Sequence, residues 1–251
     1  MEDNKILLLT ACVNPNGMTF TKIQDTNLRL SEYKTAIFWY LKNTSLPIVV
    51  CENTLYDFSD DFKDYLSSGR LELLCFNGNG YERSLGKGYG EALIIDYAIK
   101  HSKLITEKSI IIKITGRIII NNIRDIIIDC NNQNNIYADA FLIDGRMQAA
   151  SRIFISPYLF LTNYFLSNLS SLNDSKYYYF EHLLYDSSKR WEIDKRGKFV
   201  EPKRVIIYTG ISGSTGCSLS ISYIKIIRVY LSKKLKRIGI YRNTNTGKLN
   251  I

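Results

Sequence analysis

The last fifth of the chain lacks acid. No Asp or Glu occurs after Glu201, whereas residues 202–251 hold ten Lys and Arg. Removing those ten from the 33 basic residues leaves 23 against 24 acidic ones over residues 1–201, a net charge of −1. The whole balance of +9 therefore sits at one end. Such asymmetry calls for an anionic partner there: a membrane surface, nucleic acid or a phosphorylated substrate. Histidine is scarce, with only His101 and His182, which argues against a zinc site. The five cysteines (Cys12, Cys51, Cys75, Cys130 and Cys217) are odd in number, scattered and without CxxC spacing. Cys12, Cys51 and Cys75 fall in or beside apolar strand-like runs and read as buried reduced thiols. Long hydrophobic runs are missing too. None approaches the ~20 residues of a membrane-spanning helix, because Lys113, Arg117 and Arg124 interrupt the longest one. The first residues, MEDNKILLLTACV, set no basic leader before their short apolar run, unlike a signal peptide. These absences point to a cytoplasmic protein.

What is present is an ordinary globular composition, 251 residues with 45% hydrophobic and 23% charged, enough for a sizeable core. The expected division is one α/β domain over residues 1–218 and a basic amphipathic segment over residues 219–251. In that segment Ile224, Ile227, Leu231, Leu235 and Ile238 recur near helical spacing among Lys and Arg, which suits an anionic membrane surface. An RNA-binding helix is the rival. The chain has no aromatic-basic RNA-binding pattern and no helix-turn-helix signature, so nucleic acid ranks lower.

Strands and helices alternate from the start. KILLLTACV (5–13) is a continuous apolar run, as in a strand buried on both faces. Residues 28–43 have helical periodicity, with Leu30, Tyr33, Ile37, Tyr40 and Leu41 near one face. PIVVCENT is a second strand, DDFKDYLSS a short helix and LELLCF a third strand. The loop NGNGYERSLGKGYG, a helix over 91–105 and the strand SIIIKITGR follow. This β-α-β-α-β-α-β series predicts a mostly parallel, Rossmann-like sheet with helices on both faces. Its ligands would sit beyond the carboxyl ends of the strands. Beyond Arg117 a short helix (NNIRDIIIDCNN), a strand over 138–144, an apolar helix (PYLFLTNYFLSNL), a helix led by YYYFEH and a late strand (RVIIYTGI) are expected.

Candidate site residues follow from that frame. Gly86, Lys87, Gly88, Tyr89 and Gly90 precede a helix, where backbone amides and the Lys87 charge would attract phosphate; a plain flexible loop is the alternative. Their GxGxG spacing after a third strand matches neither a dinucleotide fingerprint nor a P-loop. Glu52 and Asn53 end the second strand, within reach of a ribose hydroxyl or base edge, or merely capping a turn. Thr115, Gly116 and Arg117 end the fourth strand, with Arg117 suited to bidentate contact with phosphate and Lys113 expected on the same face. Asp139 and Asp144 lie five apart and would face opposite sides of a strand, so they make no obvious metal pair. Glu181 and His182 follow four aromatics. A carboxylate against aromatic walls is a candidate general base, while a solvated helix residue is the plain alternative. The small-residue stretch Gly210–Gly216 would be a phosphate nest, a lid or a hairpin turn.

Four of these pieces together resemble nucleotide-sugar glycosyltransferases with a GT-A-like fold, over roughly Lys5 to Asp186. KILLLTACV resembles their first nucleotide-binding strand and PIVVCENT the second, whose end contacts the nucleoside. GKGYGEALIIDYAI resembles the helix before the donor-site strand. YYYFEH resembles the acceptor-side helix start that carries a catalytic carboxylate in inverting members. The resemblance implies transfer of a sugar from a nucleotide-sugar donor to a saccharide or lipid-linked acceptor in capsule, O-antigen or lipooligosaccharide synthesis, peripheral at the inner membrane face. It implies Glu181 as base with His182 beside it, and a donor held by Thr10, Ala11, Glu52, Asn53, Lys87, Gly88, Thr115, Gly116, Arg117 and Asp144. One departure matters. Members of this class usually hold a divalent metal on an Asp-x-Asp at the end of the fourth strand, where this chain has Thr115-Gly116-Arg117. Either the enzyme needs no metal, with Arg117, Lys87 or a tail residue neutralising the leaving phosphate, or Asp144 or another acid holds one. The expectation here is no cofactor and no metal ligand. Rival classes are another α/β transferase (a sugar-phosphate transferase or a methyltransferase) and a non-enzymatic module for anionic membranes or nucleic acid. The turn TACVNPNG lacks the glycines a methyltransferase would show there.

Overall fold

The computed structural model describes residues 4–18, 21–220, 222–237, 241–242 and 249–250. Strand β1 (Lys5–Ala11) leads into helix α1 (Thr26–Asn43), strand β2 (Ile48–Glu52), the short helix α2 (Lys63–Ser67) and strand β3 (Leu71–Cys75). Helix α3 (Gly86–His101), strands β4 (Ile110–Thr115) and β5 (Ile119–Ile120) and helix α4 (Ile123–Asp129) come next. Strands β6 (Ile136–Tyr137), β7 (Ala140–Ile143), β8 (Arg146–Ala149) and β9 (Ile153–Pro157) follow. The chain then runs through the single turn α5 (Tyr158–Phe160), helix α6 (Phe180–Ile193), strands β10 (Phe199–Val200) and β11 (Tyr208–Thr209) and helix α7 (Tyr223–Arg237). A last pair, β12 (Tyr241–Arg242) and β13 (Leu249–Asn250), is antiparallel.

The main sheet has the order β10-β6-β9-β4-β1-β2-β3. Strands β4, β1, β2 and β3 are parallel, while β9 runs antiparallel between β4 and β6. Leu7, Leu8 and Leu9 of β1 are fully buried, as are Ile111 and Ile112 of β4. That explains the unbroken apolar runs, because helices cover both faces. On one face α1 packs through Tyr33, Ala36, Ile37 and Tyr40, a helical stripe, against Leu7, Leu9, Ile112 and Ile114. Asp25 starts that helix by accepting the Leu28 amide at 2.7 Å. The opposite face is filled by Ile95 and Ala98 of α3, Phe180 and Leu184 of α6, and Phe154. The fold is thus α/β, with a mostly parallel sheet between helices.

Four expectations change. The glycine segment 86–90 is not a loop: it forms the first turn of α3. Residues 140–143 do not join the main sheet but make a separate hairpin with β8. The strand inserted beside β4 is β9, which pairs Ile112 with Ile155. PYLFLTNYFLSNL is a series of short turns rather than one helix, and only Tyr208 and Thr209 of the late strand pair, with β5. Non-local pairing decides each strand change, and apolar periodicity does not encode partners. The basic helix forms as expected, leaving Ile224, Ile227, Tyr230 and Leu231 exposed; Ile238 lies outside the described residues. No helix among the described residues is long and apolar enough to cross a membrane.

Candidate active site

The strand order reverses between β1 and β4: the chain steps from β1 to β2 to β3, then returns to the other side of β1. Open α/β sheets bind ligands at this switch point, beyond the carboxyl ends of the strands. A cavity of about 560 Å³ lies there, within the range of small-molecule sites. Thr10, Asn53 and Thr115 from the strand ends line it, with Lys87, Gly88, Arg117 and Glu181. Seven of the expected site residues thus meet in one cavity.

The other five do not line it. Ala11 is fully buried within β1. Glu52 is fully buried and accepts the amides of Val13 (2.9 Å), Thr54 (2.8 Å) and Tyr56 (2.9 Å), so it clasps two loops rather than a ligand. Gly116 donates to the Thr10 carbonyl at 2.9 Å, and a Cβ there would stand 2.8 Å from that oxygen. Asp144 is exposed in the turn between β7 and β8. His182 is buried, accepts the Tyr179 amide through Nδ1 at 3.1 Å and stacks on Tyr178 and Tyr179. Burial, with Arg146 adding to it, holds the His182 imidazole below its ordinary pKa. It sits at the start of α6 and does not line the cavity.

The floor of the cavity is a buried ion pair. Lys113 projects from β4 among Phe154 and Phe180, its side chain fully buried, and its ammonium meets Glu91 Oε1 of α3 at 2.5 Å and the Ser151 carbonyl at 2.6 Å. Thr10 and Thr115 hydroxyls donate to the same Glu91 oxygen at 2.9 and 3.3 Å. Burial opposes ionisation of Glu91, but Lys113 and the hydroxyls override it and hold the carboxyl below its ordinary range. Arg117 does not share Lys113's face. β4 ends at Thr115, the Ile118 amide closes a turn onto the Thr115 carbonyl, and Arg117 swings to Glu32 of α1. Side-chain alternation holds only while the strand continues.

Arg29 of α1 is the second buried arginine. Its guanidinium donates to the carbonyls of Cys12 (2.8 and 2.5 Å) and Ile23 (3.2 Å) and has no ion pair among the described residues. Together with Arg117, which is paired to Glu32, it lines the α1 side of the cavity near Cys12 and Tyr33. Burial pushes the Cys12 thiol up to about 11, so it is no thiolate nucleophile at neutral pH.

Carboxylates come from the other side. Glu181, in the first turn of α6, accepts the Ser151 hydroxyl at 2.6 Å through Oε1. The glycines of α3 bring that turn in close. A Cβ on Gly88 would stand 3.0 Å from Phe180 Cβ, and Gly86, at φ +84°, would place one 1.9 Å from the Asp174 carboxylate. Asp174 lines the cavity near Lys87 and Glu181. Burial pushes its carboxyl up to about 6, against the pull of Lys87 and with the push of Glu181. The folded protein therefore binds this proton more tightly than the unfolded chain. The stability linked to it is complete below about pH 3.9 and is lost as pH climbs through about 6. Asp174→Asn should gain in melting temperature on wild type between about pH 4 and pH 7; parallel curves would show that Asp174 titrates normally.

Ser212, Gly213 and Ser214 roof the cavity: the Gly213 carbonyl accepts the Lys22 amide at 2.8 Å, and Lys87 reaches the Ser214 hydroxyl. Sequence reasoning missed Glu91, Arg29, Ser151 and Asp174. Lys113 within an isoleucine run was the available signal for Glu91, since a lysine in a doubly covered strand requires a buried counter-charge. The end of β4 does not suit a divalent cation, because Arg117 stands there and Glu91 is already neutralised by Lys113. Among the described residues no three His, Cys, Asp or Glu gather as metal ligands.

No family model matches the chain, and no curated protein does. Among solved structures it is similar to the galactosyltransferase LgtC with donor and acceptor sugar analogs, over 80% of this chain and 74% of that one (10% identity, TM-score 0.42). It is similar to the 2-C-methyl-D-erythritol 4-phosphate cytidylyltransferase IspD of Francisella tularensis over 92% and 99% (14% identity, TM-score 0.40). It is also similar to the bifunctional glycosyltransferase WbbM over 93% of this chain and 44% of that one (12% identity, TM-score 0.45). All three are transferases by name, and at these identities the likeness bears on the course of the chain alone.

Proposed function

We propose that the protein is a glycosyltransferase that moves a sugar from a nucleotide-sugar donor to a saccharide or lipid-linked acceptor. One observation carries this reading: a single cavity at the sheet's switch point has arginines on its α1 side and carboxylates on its α6 side. Arg29 and Arg117 face the diphosphate and stabilise the charge that develops as the nucleotide leaves. Glu181 takes the proton from the acceptor hydroxyl, whose oxygen attacks the anomeric carbon as the bond from that carbon to the diphosphate oxygen breaks, with inversion. In this reading Arg29, which has no ion pair among the described residues, supplies positive charge that a divalent ion would otherwise bring, and Arg117 adds hydrogen-bond donors beside its partner Glu32. The exposed apolar and basic residues of α7 fit an anionic membrane carrying a lipid-linked acceptor.

Calorimetric titration with UDP-, GDP-, CDP- and dTDP-sugars, in EDTA, tests the reading. One of these donor classes should bind, with S-adenosylmethionine silent, and the same preparation should float with phosphatidylglycerol vesicles but not with phosphatidylcholine ones. Binding of S-adenosylmethionine alone would sink the proposal, and binding only after Mn²⁺ is added would sink its metal-free form.

A further inference from the structure

Glu91 has two oxygens in different positions. Oε1 receives three donors: Lys113 at 2.5 Å, Thr10 at 2.9 Å and Thr115 at 3.3 Å. Oε2 has no hydrogen-bond partner among the described residues, and the side chain keeps 22% exposure where it lines the cavity. The carboxylate is therefore anchored by one end, with the other offered to whatever fills the cavity.

The charges say what that ligand group must be. Lys113 already neutralises Glu91, so the pair exerts little net pull on a cation. A phosphate oxygen would meet a lone pair with no proton between. What suits Oε2 is a neutral donor, and in a sugar-bearing ligand that is a hydroxyl. Position agrees. From Glu91 a chain of contacts runs through Lys113 to the Ser151 carbonyl, and the Ser151 hydroxyl holds Glu181. Thr115, two residues before Arg117 on the chain, donates to the same Glu91 oxygen and lies 3.4 Å from the Lys113 ammonium. Glu91 thus lines the same cavity as the arginines assigned to the diphosphate and the carboxylate assigned to the acceptor, and is linked to the latter through Lys113 and Ser151.

We propose that Glu91 Oε2 accepts a hydrogen bond from a hydroxyl of the sugar being transferred and so selects the donor; this rests on the glycosyltransferase reading above. Glu91 is a specificity residue and not a base, since its proton affinity is suppressed by the same three donors that fix it in place. An acceptor held rigidly before the ligand arrives loses little ordering entropy on binding.

Calorimetry on the full chain separates the two proposals. The probes are UDP-glucose, UDP-galactose, GDP-mannose and dTDP-rhamnose, each beside its nucleoside diphosphate alone. In wild type the preferred nucleotide sugar should bind more tightly than its diphosphate. Glu91→Gln should shrink that difference about tenfold or more and leave the affinity for the diphosphate unchanged, which also certifies that the variant is folded. If the single variant does not fold, Glu91→Gln/Lys113→Met removes the uncompensated lysine and is read in the same way. A sugar contribution that does not move, or an equal loss for the diphosphate, overturns the Glu91 assignment alone. Wild type that binds no UDP-, GDP-, CDP- or dTDP-sugar overturns the parent reading, and this one with it.

Discussion

Glu181→Gln should lower kcat for sugar transfer by about 100- to 10,000-fold, the usual contribution of a positioned general base, while the Kd for the donor stays within about twofold of wild type. The expectation rests on placement. Glu181 stands in the first turn of α6, half-buried on the cavity wall, with Oε1 held by Ser151 and Oε2 unpartnered among the described residues. One oxygen is oriented and the other is available for a hydroxyl proton. The amide keeps the shape of the side chain and removes its basicity, so binding and chemistry part company. Asp174 is the informative control, because burial raises its carboxyl to about 6 in the same cavity. Asp174→Asn should cost little in kcat. A large loss in that variant with little in Glu181→Gln would transfer the role to Asp174, and the acid limb of the pH–rate profile would then fall near pH 6.

Lys113→Met should destabilise the fold by about 3 kcal/mol, near the low end for removing one partner of a buried ion pair. Methionine keeps the stem packed between Phe154 and Phe180, so the loss reflects charge more than volume. It leaves Glu91 with its two threonine donors and no counter-ion. The low end applies because Glu91 retains some exposure to the cavity and can take up a proton instead of standing ionised. That escape raises the folded-state pKa of Glu91 in the variant. The deficit should therefore shrink as pH falls towards the ordinary glutamate range near pH 4.3. Glu91→Gln/Lys113→Met should recover most of the loss, since neither charge is then stranded. Urea unfolding at two pH values measures all three quantities. A single-variant loss under about 1 kcal/mol, or a double variant worse than additive, would show that the pair is not a structural keystone.

The sequence determined the framework. Alternating apolar runs and amphipathic segments predict β1 to β4 with α1, α2 and α3 between them, and the four strands pair in parallel as expected. Doubly covered strands need continuous apolar residues, and that requirement is written in the chain. The strand ends then mark where Thr10, Asn53, Thr115 and Arg117 gather, before any contact is known. What local pattern does not contain is which distant groups meet. The antiparallel entry of β9 beside β4, the pairing of Lys113 with Glu91 and of Arg117 with Glu32, and the seat of Glu181 on Ser151 all join residues far apart in the chain. Tertiary structure alone decided them, because ion pairs and hydrogen bonds are set by distance in space and a periodicity of two or 3.6 residues records only which face a side chain leaves. The glycines of residues 86–90 show the same division. Their position before a helix suggests a phosphate loop, while the structure uses Gly86 and Gly88 to let the start of α3 pack against Asp174 and Phe180. That close approach sets the carboxylate wall of the cavity beside its ion-paired floor.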